Sequence, residues 1–326
     1  MIKPVKFLIL RFSSIGDIVL TTPVIRCLKK QYPNAELHYF TKKKFSFLLE
    51  DNPYVDKLWL LEENSGSLIS ILKGENFDYV IDLHNNLRTL KIKLMLGKPS
   101  FSFEKLNVQK FLLTNFKINN LPPIHIVDRY LATLNTFGVE NDNLGLDYFI
   151  PAKDKLEKDS LPEAHRENFV AYAIGGQHFT KKLPVAKMIE LCEKIDHPII
   201  LLGGKEDFAE GEAVKSAIGK DSVFNACGKY SFNQSASIIE MAGIVFTHDT
   251  GLMHVAAAFK KRIYSIWGNT VPGFGMYPYQ TSFEIIENNN LKCRPCSKIG
   301  YKECPKKHFK CMNELSFDFD IKELAV

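Results

Sequence analysis

Short apolar runs alternate with longer amphipathic segments from the start of the chain. Runs of this length are typical of strands buried in a parallel sheet, and the segments between them have the length and apolar spacing of helices. In the first half of the chain the pattern predicts strands at Lys6–Arg11, Glu36–Phe40, Lys57–Leu61 and Asp78–Leu83, and a helix that ends near Gln31. Pro23 either kinks that helix or restarts it at Thr22, because proline lacks the N–H donor that an interior position needs. This rhythm predicts a parallel α/β sheet.

A polar, charged stretch between about Ile150 and Asn168 interrupts the alternation, and we expect the domain boundary there. The second series predicts strands at Phe169–Ile174, Pro198–Leu202, Val223–Asn225, Ile244–Thr247 and Arg262–Trp267. Helices are predicted from Pro184 to about Ile195, from Glu206 to about Ile218, and at Phe232–Met241 and Leu252–Phe259. The chain should therefore form two Rossmann-like α/β domains, 1–155 and 165–310, that face each other across a cleft, with a tail, 311–326, that packs back on the first domain.

Composition supports this organisation. The 326 residues exceed what one hydrophobic core usually fills, and 45% apolar with 24% charged residues is a globular composition. The run from Phe7 to Leu10 is too short for a signal peptide or a membrane span, so we expect a cytoplasmic protein. Basic patches such as Lys42–Lys44 and the lysines between Lys302 and Lys310 suit a nucleotide diphosphate donor, or an acceptor in an anionic membrane surface.

The turn after the first strand, Arg11–Asp17, is the first candidate site. Small residues at the carboxyl end of a strand expose backbone donors, so Ser14 and Gly16 are candidates for donor contact and Asp17 would project into the cleft. Local sequence alone favours a simpler role for Asp17 as a helix cap, since only one glycine is present and the GxGxxG pattern is absent.

Three further candidate sites follow strands of the second series. His248–Ala258 opens a helix whose free N–H groups can hold a phosphate, with Thr250 as a hydroxyl donor, Gly251 allowing close approach and His254 on the same helical face as Thr250. Gly175–Pro184 supplies a loop for a pyrophosphate with Lys181 as a point charge, and Leu202–Glu206 a carboxylate for ribose hydroxyls. The alternatives are a capped core helix, a plain surface loop and helix capping by Glu206 or Asp207.

Taken together, these segments resemble glycosyltransferase family 9, the ADP-heptose:lipopolysaccharide heptosyltransferases, over nearly the whole chain. The resemblance rests on Ser13–Pro23, Thr180–Pro184, Leu202–Glu206 and Asp249–Ala258. It implies a GT-B fold and sugar transfer with inversion, without a metal ion or other cofactor.

The resemblance also implies roles for individual residues. Asp17 is the general base for the acceptor hydroxyl. Lys181 and the Thr250–Gly251 helix terminus stabilise the departing diphosphate, which makes Lys181 the second catalytic candidate. Glu206 holds the ribose, and the remaining donor contacts are Thr180, Asp249 and His254. Family members often have tryptophan where this chain has Leu183, so packing beside Lys181 is expected to differ.

The loop at Asp82–Arg88 resembles the acceptor-side loop of the family, and Asn86 and Arg88 are candidates for acceptor contact. A solvated strand end is an equal alternative. The expected partners are a nucleotide-sugar donor and a lipid-linked saccharide acceptor, with peripheral contact to the inner membrane surface and no nucleic acid.

A cysteine cluster lies near the end of the chain, with soft metal ligands at Cys293, Cys296, Cys304, His308 and Cys311. The CxxC opening is typical of a zinc or iron–sulfur site, but the later spacings are irregular. We therefore expect packed thiols or a stress-formed disulfide, and no metal.

The resemblance thus implies a heptosyltransferase that uses ADP-heptose or a related donor and a lipopolysaccharide inner-core acceptor. Transfer from another nucleotide sugar is one alternative, and a sugar-nucleotide epimerase with the same two-domain architecture is another. A third reading treats the cysteine tail as a metal-dependent interaction module.

Overall fold

The structure is a computed structural model that describes residues 3–62, 66–219 and 221–319. It divides into two units: Met1–Lys105 with Ile124–Phe149, and Leu106–Pro123 with Ile150–Val326. Each unit is built around one parallel sheet with buried central strands, which is the arrangement that continuous apolar strands predict.

The first unit has a five-stranded sheet in the order β3-β2-β1-β4-β5. Its strands are β1 (Val5–Leu10), β2 (Ala35–Lys42), β3 (Lys57–Leu61), β4 (Tyr79–Asp82) and β5 (Ser100–Ser102). Its helices are α1 (Ile15–Val19), α2 (Thr22–Gln31), α3 (Gly66–Gly74), α4 (Leu87–Leu96) and, after an excursion of the chain, α6 (Ile126–Leu131). The helix after β1 does restart at Thr22, with Pro23 in its first turn, where the missing N–H is not needed.

The second unit has a six-stranded sheet in the order β11-β10-β9-β6-β7-β8. Its strands are β6 (Val170–Ala173), β7 (Ile199–Leu202), β8 (Val223–Asn225), β9 (Ile244–His248), β10 (Arg262–Trp267) and β11 (Phe283–Glu287). Its helices are α5 (Asn107–Phe116), α7 (Val185–Glu193), α8 (Phe208–Ile218), α9 (Phe232–Met241), α10 (Gly251–Ala258) and α11 (Lys310–Asn313).

The division of the chain differs from the sequence prediction in two places. Residues 106–123, expected in the first domain, group with the second unit, where Lys117 Nζ donates to the Pro295 carbonyl over 2.7 Å. The tail was expected to pack on the first domain, but Met312, Leu315 and Phe317 are buried in the core of the second unit. Apolar side chains at alternate positions make this burial favourable. Residues 320–326 lie outside the described part of the chain.

None of the helices in the described ranges is both long and apolar enough to cross a bilayer.

Candidate active site

The order of the first sheet reverses at β1, which has β2 on one side and β4 on the other. Loops that leave the carboxyl ends of such neighbouring strands diverge and form a crevice, which is where α/β sheets usually bind ligands. The loops after β1 and β4 are joined here by Arg11, which is buried and whose Nη1 donates to the Leu83 carbonyl. Arg11 Nη1 also donates to the Tyr130 hydroxyl over 2.9 Å.

Asp17 lies in this crevice with both carboxylate oxygens engaged. Arg11 Nη2 is 2.6 Å from Oδ1, and the Ser14 backbone N–H and hydroxyl donate to Oδ2 over 3.0 Å and 2.7 Å. Asp17 thus makes the reciprocal contact with Ser14 that starts α1, so the helix-capping role that local sequence favoured is present. About a fifth of its side chain remains exposed, which leaves the carboxylate accessible.

These contacts set the charge state of Asp17. Desolvation opposes ionisation, but the Arg11 charge and the hydrogen bonds from Ser14 outweigh it, so the pKa of Asp17 lies below its ordinary value. The neighbouring His84 shows the opposite balance: burial, and then the charges of Arg11 and Lys105, lower its pKa to about 4. Near neutral pH the crevice therefore holds an anionic Asp17 beside a neutral His84.

Sequence reasoning did not single out Arg11 as a site residue, although it stands in the motif. A cation one residue beyond β1 and six before Asp17 was the available signal. Its partner Tyr130 is 119 residues away in sequence, and no local pattern predicts that contact.

The acceptor candidates lie at the start of α4. The Asn86 side chain accepts from the Thr89 N–H over 2.9 Å and caps the helix, which is a structural role for this amide. The Arg88 side chain is exposed, and its guanidinium lies 5.9 Å from the centre of the Phe12 ring. Gly16 is buried within α1, so its contact with a donor is not evident from its position.

The second sheet has its own reversal point at β6, between β9 and β7. The loop after β6 and the end of β9 are tied together there by His248, whose Nε2 accepts from the Leu183 N–H over 3.0 Å. Burial, and then the charge of Lys182, lower the pKa of His248 to about 3, so the ring stays neutral and remains an acceptor. His248 stands in the quoted motif but was not among the predicted site residues.

Lys181 and Asp249, which were both predicted to contact the donor, lie in contact at this point, and Thr250 follows Asp249 in the chain. Lys181 Nζ lies 2.6 Å from Asp249 Oδ2 and donates to the Asp249 carbonyl over 3.2 Å. Thr250 caps α10, and Gly251 is its first residue; both are half-buried, so the helix terminus is reachable. A lysine beside a helix amino terminus is a combination that binds phosphate groups well.

The adjacent Lys182 has a different environment. Its ammonium lies 2.9 Å from Asp207 and 2.6 Å from Glu210, and only 13% of its side chain is exposed. Asp207 also accepts from the Gly204 N–H over 2.9 Å. Lys182 therefore connects the loop after β6 to the segment after β7, whereas Lys181 points to α10.

Two glycines allow these loops to approach. A Cβ atom on Gly175 would lie 2.7 Å from Asp207 Oδ2, and one on Gly176 would lie 3.1 Å from the Lys182 side chain. Neither position tolerates a larger residue without movement of its neighbours. The two acids that follow Gly204 differ in environment: Asp207 is buried and accepts from the Gly204 N–H, while Glu206 is exposed.

Two predicted donor contacts are enclosed by protein. Thr180 is 1% exposed, and its hydroxyl accepts from the Tyr301 N–H over 2.8 Å. His254 is 2% exposed within α10. The Thr180 contact therefore ties the loop after β6 to Tyr301, and both side chains are almost fully buried.

The cysteines near the end of the chain are all free thiols. Cys293 Sγ lies 3.9 Å from His308 Nε2, and Cys296 Sγ donates to the Cys293 carbonyl. Burial raises the pKa of Cys296 to about 11 and that of Cys311 to about 12, so both are thiols at neutral pH. Cys304 is half-buried between them in sequence.

Residues 66–308 match the sequence profile of glycosyltransferase family 9 (heptosyltransferase), which is more than half of the chain. The chain is 24% identical over 289 residues to lipopolysaccharide heptosyltransferase 1 of Campylobacter coli, covering 81% of this chain and 84% of that protein. Its structure is similar to a family 9 glycosyl transferase from Veillonella parvula (TM-score 0.69, 24% identity, 88% of this chain and 87% of that chain). It is equally similar to ADP-heptose lps heptosyltransferase II of E. coli (TM-score 0.69, 20% identity, 95% of this chain and 98% of that chain). The chain therefore belongs to glycosyltransferase family 9, the heptosyltransferases, and is a glycosyltransferase with a GT-B fold.

Proposed function

We propose that this protein transfers a heptose from ADP-heptose to the inner core of a lipopolysaccharide, with inversion and without a metal ion. The observation that carries the proposal is the group formed by Lys181, Asp249 and the amino terminus of α10 at the reversal point of the second sheet. Family membership and the names of the similar heptosyltransferases support the choice of heptose, ADP and lipopolysaccharide.

Deprotonation of the acceptor hydroxyl is assigned to Asp17. Its carboxylate is ionised and partly exposed, and it takes the hydroxyl proton as the oxygen forms a bond to the anomeric carbon of the heptose. Because the pKa of Asp17 lies below its ordinary value, the carboxylate is a weak base. Proton transfer then occurs late, when bond formation has made the hydroxyl acidic, and the positioning by Arg11 and Ser14 supplies much of the effect.

Stabilisation of the leaving diphosphate is assigned to residues of the second unit. As the bond from the anomeric carbon to the phosphate oxygen breaks, the electron pair and negative charge pass to ADP. The Lys181 ammonium and the free N–H groups of α10 stabilise that charge, which is the task a divalent metal performs in other transferases. A single displacement at the anomeric carbon inverts its configuration. Glu206 is exposed beside this site and is assigned to the ribose hydroxyls.

The site requires no cofactor in this proposal, and its partners are the nucleotide-sugar donor and a lipid-linked saccharide acceptor. We place the reaction at the cytoplasmic side of the inner membrane, where the protein makes peripheral contact. Nucleic acid has no part in it.

The test is an incubation of purified protein with ADP-heptose and an inner-core acceptor, with and without EDTA. Release of ADP and a gain of one heptose by the acceptor are expected in both, with an inverted anomeric configuration by NMR. Conversion of the donor when acceptor is absent would instead support the epimerase alternative. Loss of activity in EDTA that added metal restores would contradict the metal-free mechanism.

Asp17→Asn is expected to lower the transfer rate by about a hundredfold or more, the range for loss of a general base. Asp51→Asn is the matched control, since Asp51 is exposed and outside the site. Calorimetric binding of ADP and the thermal unfolding temperature show whether each variant is folded. Full transfer activity in Asp17→Asn would rule out its assignment as the base.

A further inference from the structure

Residues 293–301 lie between β11 and α11 of the second unit and begin with the CxxC motif. They have no part in the proposed function. They are bonded, however, to the loop after β6, which carries Lys181, and to the turn after β10, which is bonded to Asp249. This segment, the strap, therefore contacts two loops that meet at the proposed diphosphate site.

The strap donates a hydrogen bond to each backbone carbonyl of the turn after β10. The Arg294 side chain is 3% exposed, and its guanidinium donates to the Gly268 carbonyl and, over 2.9 Å, to the Thr270 carbonyl. The Cys296 N–H donates to the Asn269 carbonyl over 3.0 Å. A planar guanidinium bonded to two carbonyls fixes their separation, so the position of the turn depends on Arg294.

The far end of the strap is bonded to the residue before Lys181. The Tyr301 N–H donates to the Thr180 hydroxyl over 2.8 Å, and the Thr180 N–H donates to the Tyr301 carbonyl over 3.3 Å. The Tyr301 hydroxyl donates to the Cys296 carbonyl over 3.1 Å, which ties this end of the strap to the end that carries Arg294. The strap is thus anchored on both sides of the proposed diphosphate site.

Thr270 connects the turn after β10 to that site. Its side chain is buried, and its hydroxyl donates to Asp249 Oδ2 over 3.0 Å. The same oxygen lies 2.6 Å from Lys181 Nζ. A carboxylate oxygen can accept from two donors at once, so the Thr270 hydroxyl and the Lys181 ammonium share it. The orientation of the Asp249 carboxylate therefore depends on Thr270 as well as on Lys181.

Thr270 matters most when Lys181 binds a phosphate. The ammonium then moves away from Asp249, whose side chain is only 11% exposed and so gains little from water. The Thr270 hydroxyl still donates to the carboxylate, and a hydrogen bond to an ionised acceptor is roughly twice as strong as a neutral one. Thr270 therefore lowers the free energy needed to release Lys181 to the diphosphate.

We propose that the strap positions the proposed diphosphate site, with Arg294 acting on Asp249 through Thr270. Arg294 and Thr270 touch neither substrate in this arrangement; they set the place and the partners of the groups that do. The inference rests on the proposed function, which assigns the diphosphate to Lys181. It adds a role for the CxxC segment that depends on an arginine and a buried hydroxyl rather than on the thiols.

Thr270→Val tests the central contact, because it replaces the hydroxyl by a methyl group. The dissociation constant of ADP, by calorimetry, and KM for ADP-heptose should rise about tenfold, near the low end of what a hydrogen bond to a charged group contributes. Since the contact persists through the reaction, kcat should stay within about twofold of the parent value. Thr270→Ser keeps the hydroxyl and should restore both constants to within about twofold.

Thr281→Val is the matched control. Thr281 lies just before β11, and its hydroxyl donates to the Lys261 carbonyl over 2.8 Å at the amino ends of β10 and β11. This variant should bind ADP like the parent. Unchanged ADP affinity in a folded Thr270→Val variant, or an equal loss of affinity in Thr270→Val and Thr270→Ser, would overturn the proposal.

Arg294→Lys tests whether Arg294 acts through Thr270. Lysine keeps a charge beside Glu287, whose carboxylate lies 2.8 Å from the guanidinium, but it cannot hold two carbonyls as a planar fork. The ADP dissociation constant should rise about fivefold, and little further when Thr270→Val is already present, since both changes act by one route. Effects that multiply would show that Arg294 does not act through Thr270. Arg166→Lys is its control, because Arg166 also donates to backbone carbonyls, in the 159–161 segment, and it should not alter ADP affinity.

ADP binding separates failure of this inference from failure of the proposed function, because it requires neither acceptor nor transfer. A parent protein that binds ADP but moves no heptose contradicts the proposed function, while the variants still test the strap. A parent that transfers heptose, with Thr270→Val equal to it in binding ADP, contradicts the strap alone. ADP affinity that responds to a reductant such as dithiothreitol, but not to Thr270→Val, would assign the role of the strap to its thiols instead.

Discussion

Lys181 and Lys182 are neighbours in sequence but are bonded to different parts of the second unit, and replacing each by methionine should separate activity from stability. Lys181 pairs with Asp249 at the start of α10, whereas Lys182 pairs with Asp207 and Glu210 beyond β7. Methionine is an unbranched side chain one atom shorter than lysine, and it lacks the ammonium group with its charge and its hydrogen-bond donors.

The structure sets the expected magnitudes. Lys182→Met leaves Asp207, with 2% of its side chain exposed, without its cation, and breaking such a pair costs about 3–5 kcal/mol. The Gly204 N–H still donates to Asp207, so we expect a loss near 3 kcal/mol. Lys181→Met removes the proposed charged hydrogen bond to the diphosphate, and a bond of this kind contributes about 1.5–3 kcal/mol, which corresponds to about 10- to 150-fold in kcat/KM.

The assays are urea unfolding and release of ADP at a temperature where both variants are folded. Lys182→Met should show the larger loss of unfolding free energy, and Lys181→Met the larger loss of kcat/KM. In Lys181→Met, Asp249 retains the hydrogen bond from the Thr270 hydroxyl, which limits the loss of stability in that variant. Equal losses of kcat/KM in the two folded variants would refute the assignment of the diphosphate to Lys181.

Two further predictions concern stability. Hydrogen bonds from Arg26 lower the pKa of Asp142 to about 2, below its unfolded value, so this pair stabilises the fold above about pH 4 and its contribution is lost as pH falls toward 2. Asp142→Asn should therefore lower the unfolding free energy by about 2 kcal/mol at pH 7 and by nearly nothing at pH 2. A difference in unfolding free energy that stays constant between pH 7 and pH 2 would contradict this prediction. Gly175→Ala would bring a Cβ to 2.7 Å from Asp207 and should lower the free energy of unfolding by about 1–3 kcal/mol. Gly74→Ala is the control, because its Cβ would meet nothing within 4 Å, and it should be tolerated. Thermal unfolding of the two variants tests the difference.

Much of the fold could be predicted because central parallel strands are continuous apolar runs. The prediction at Lys57–Leu61 is confirmed, as are those at Val223–Asn225 and Arg262–Trp267, and the ends of the other predicted strands differ by one or two residues. β5 was missed because it has only three residues, and β11 because it is a partly exposed strand at the edge of its sheet. Helix α4 was missed for a different reason. Several of its leucines are exposed to solvent, so the spacing of its apolar residues does not mark a face that packs on the sheet.

Within the candidate sites, only contacts between loops that follow neighbouring strands could be predicted from the sequence. Lys181 and Asp249 follow strands β6 and β9, which lie side by side, so a motif at each strand end was enough to bring them together. Arg11 and His248 were overlooked because their roles depend on partners from other strand ends, the Leu83 carbonyl and the Leu183 N–H. Such contacts depend on how loops close, and local sequence does not encode them.

The two sites share one arrangement, in which a carboxylate at the reversal point of a sheet is paired with a cation from a loop of the same unit. In the first unit the cation Arg11 is buried and bonded on several sides, so it fixes Asp17 as an anion in one position. In the second unit the cation Lys181 is more exposed, at 16% of its side chain, and its ammonium lies against the carboxylate and the carbonyl of Asp249. A phosphate group can therefore compete for Lys181 more readily than for Arg11, whose side chain is 8% exposed. The difference in burial, rather than the residue types, separates a cation that orients a base from one that binds a leaving group.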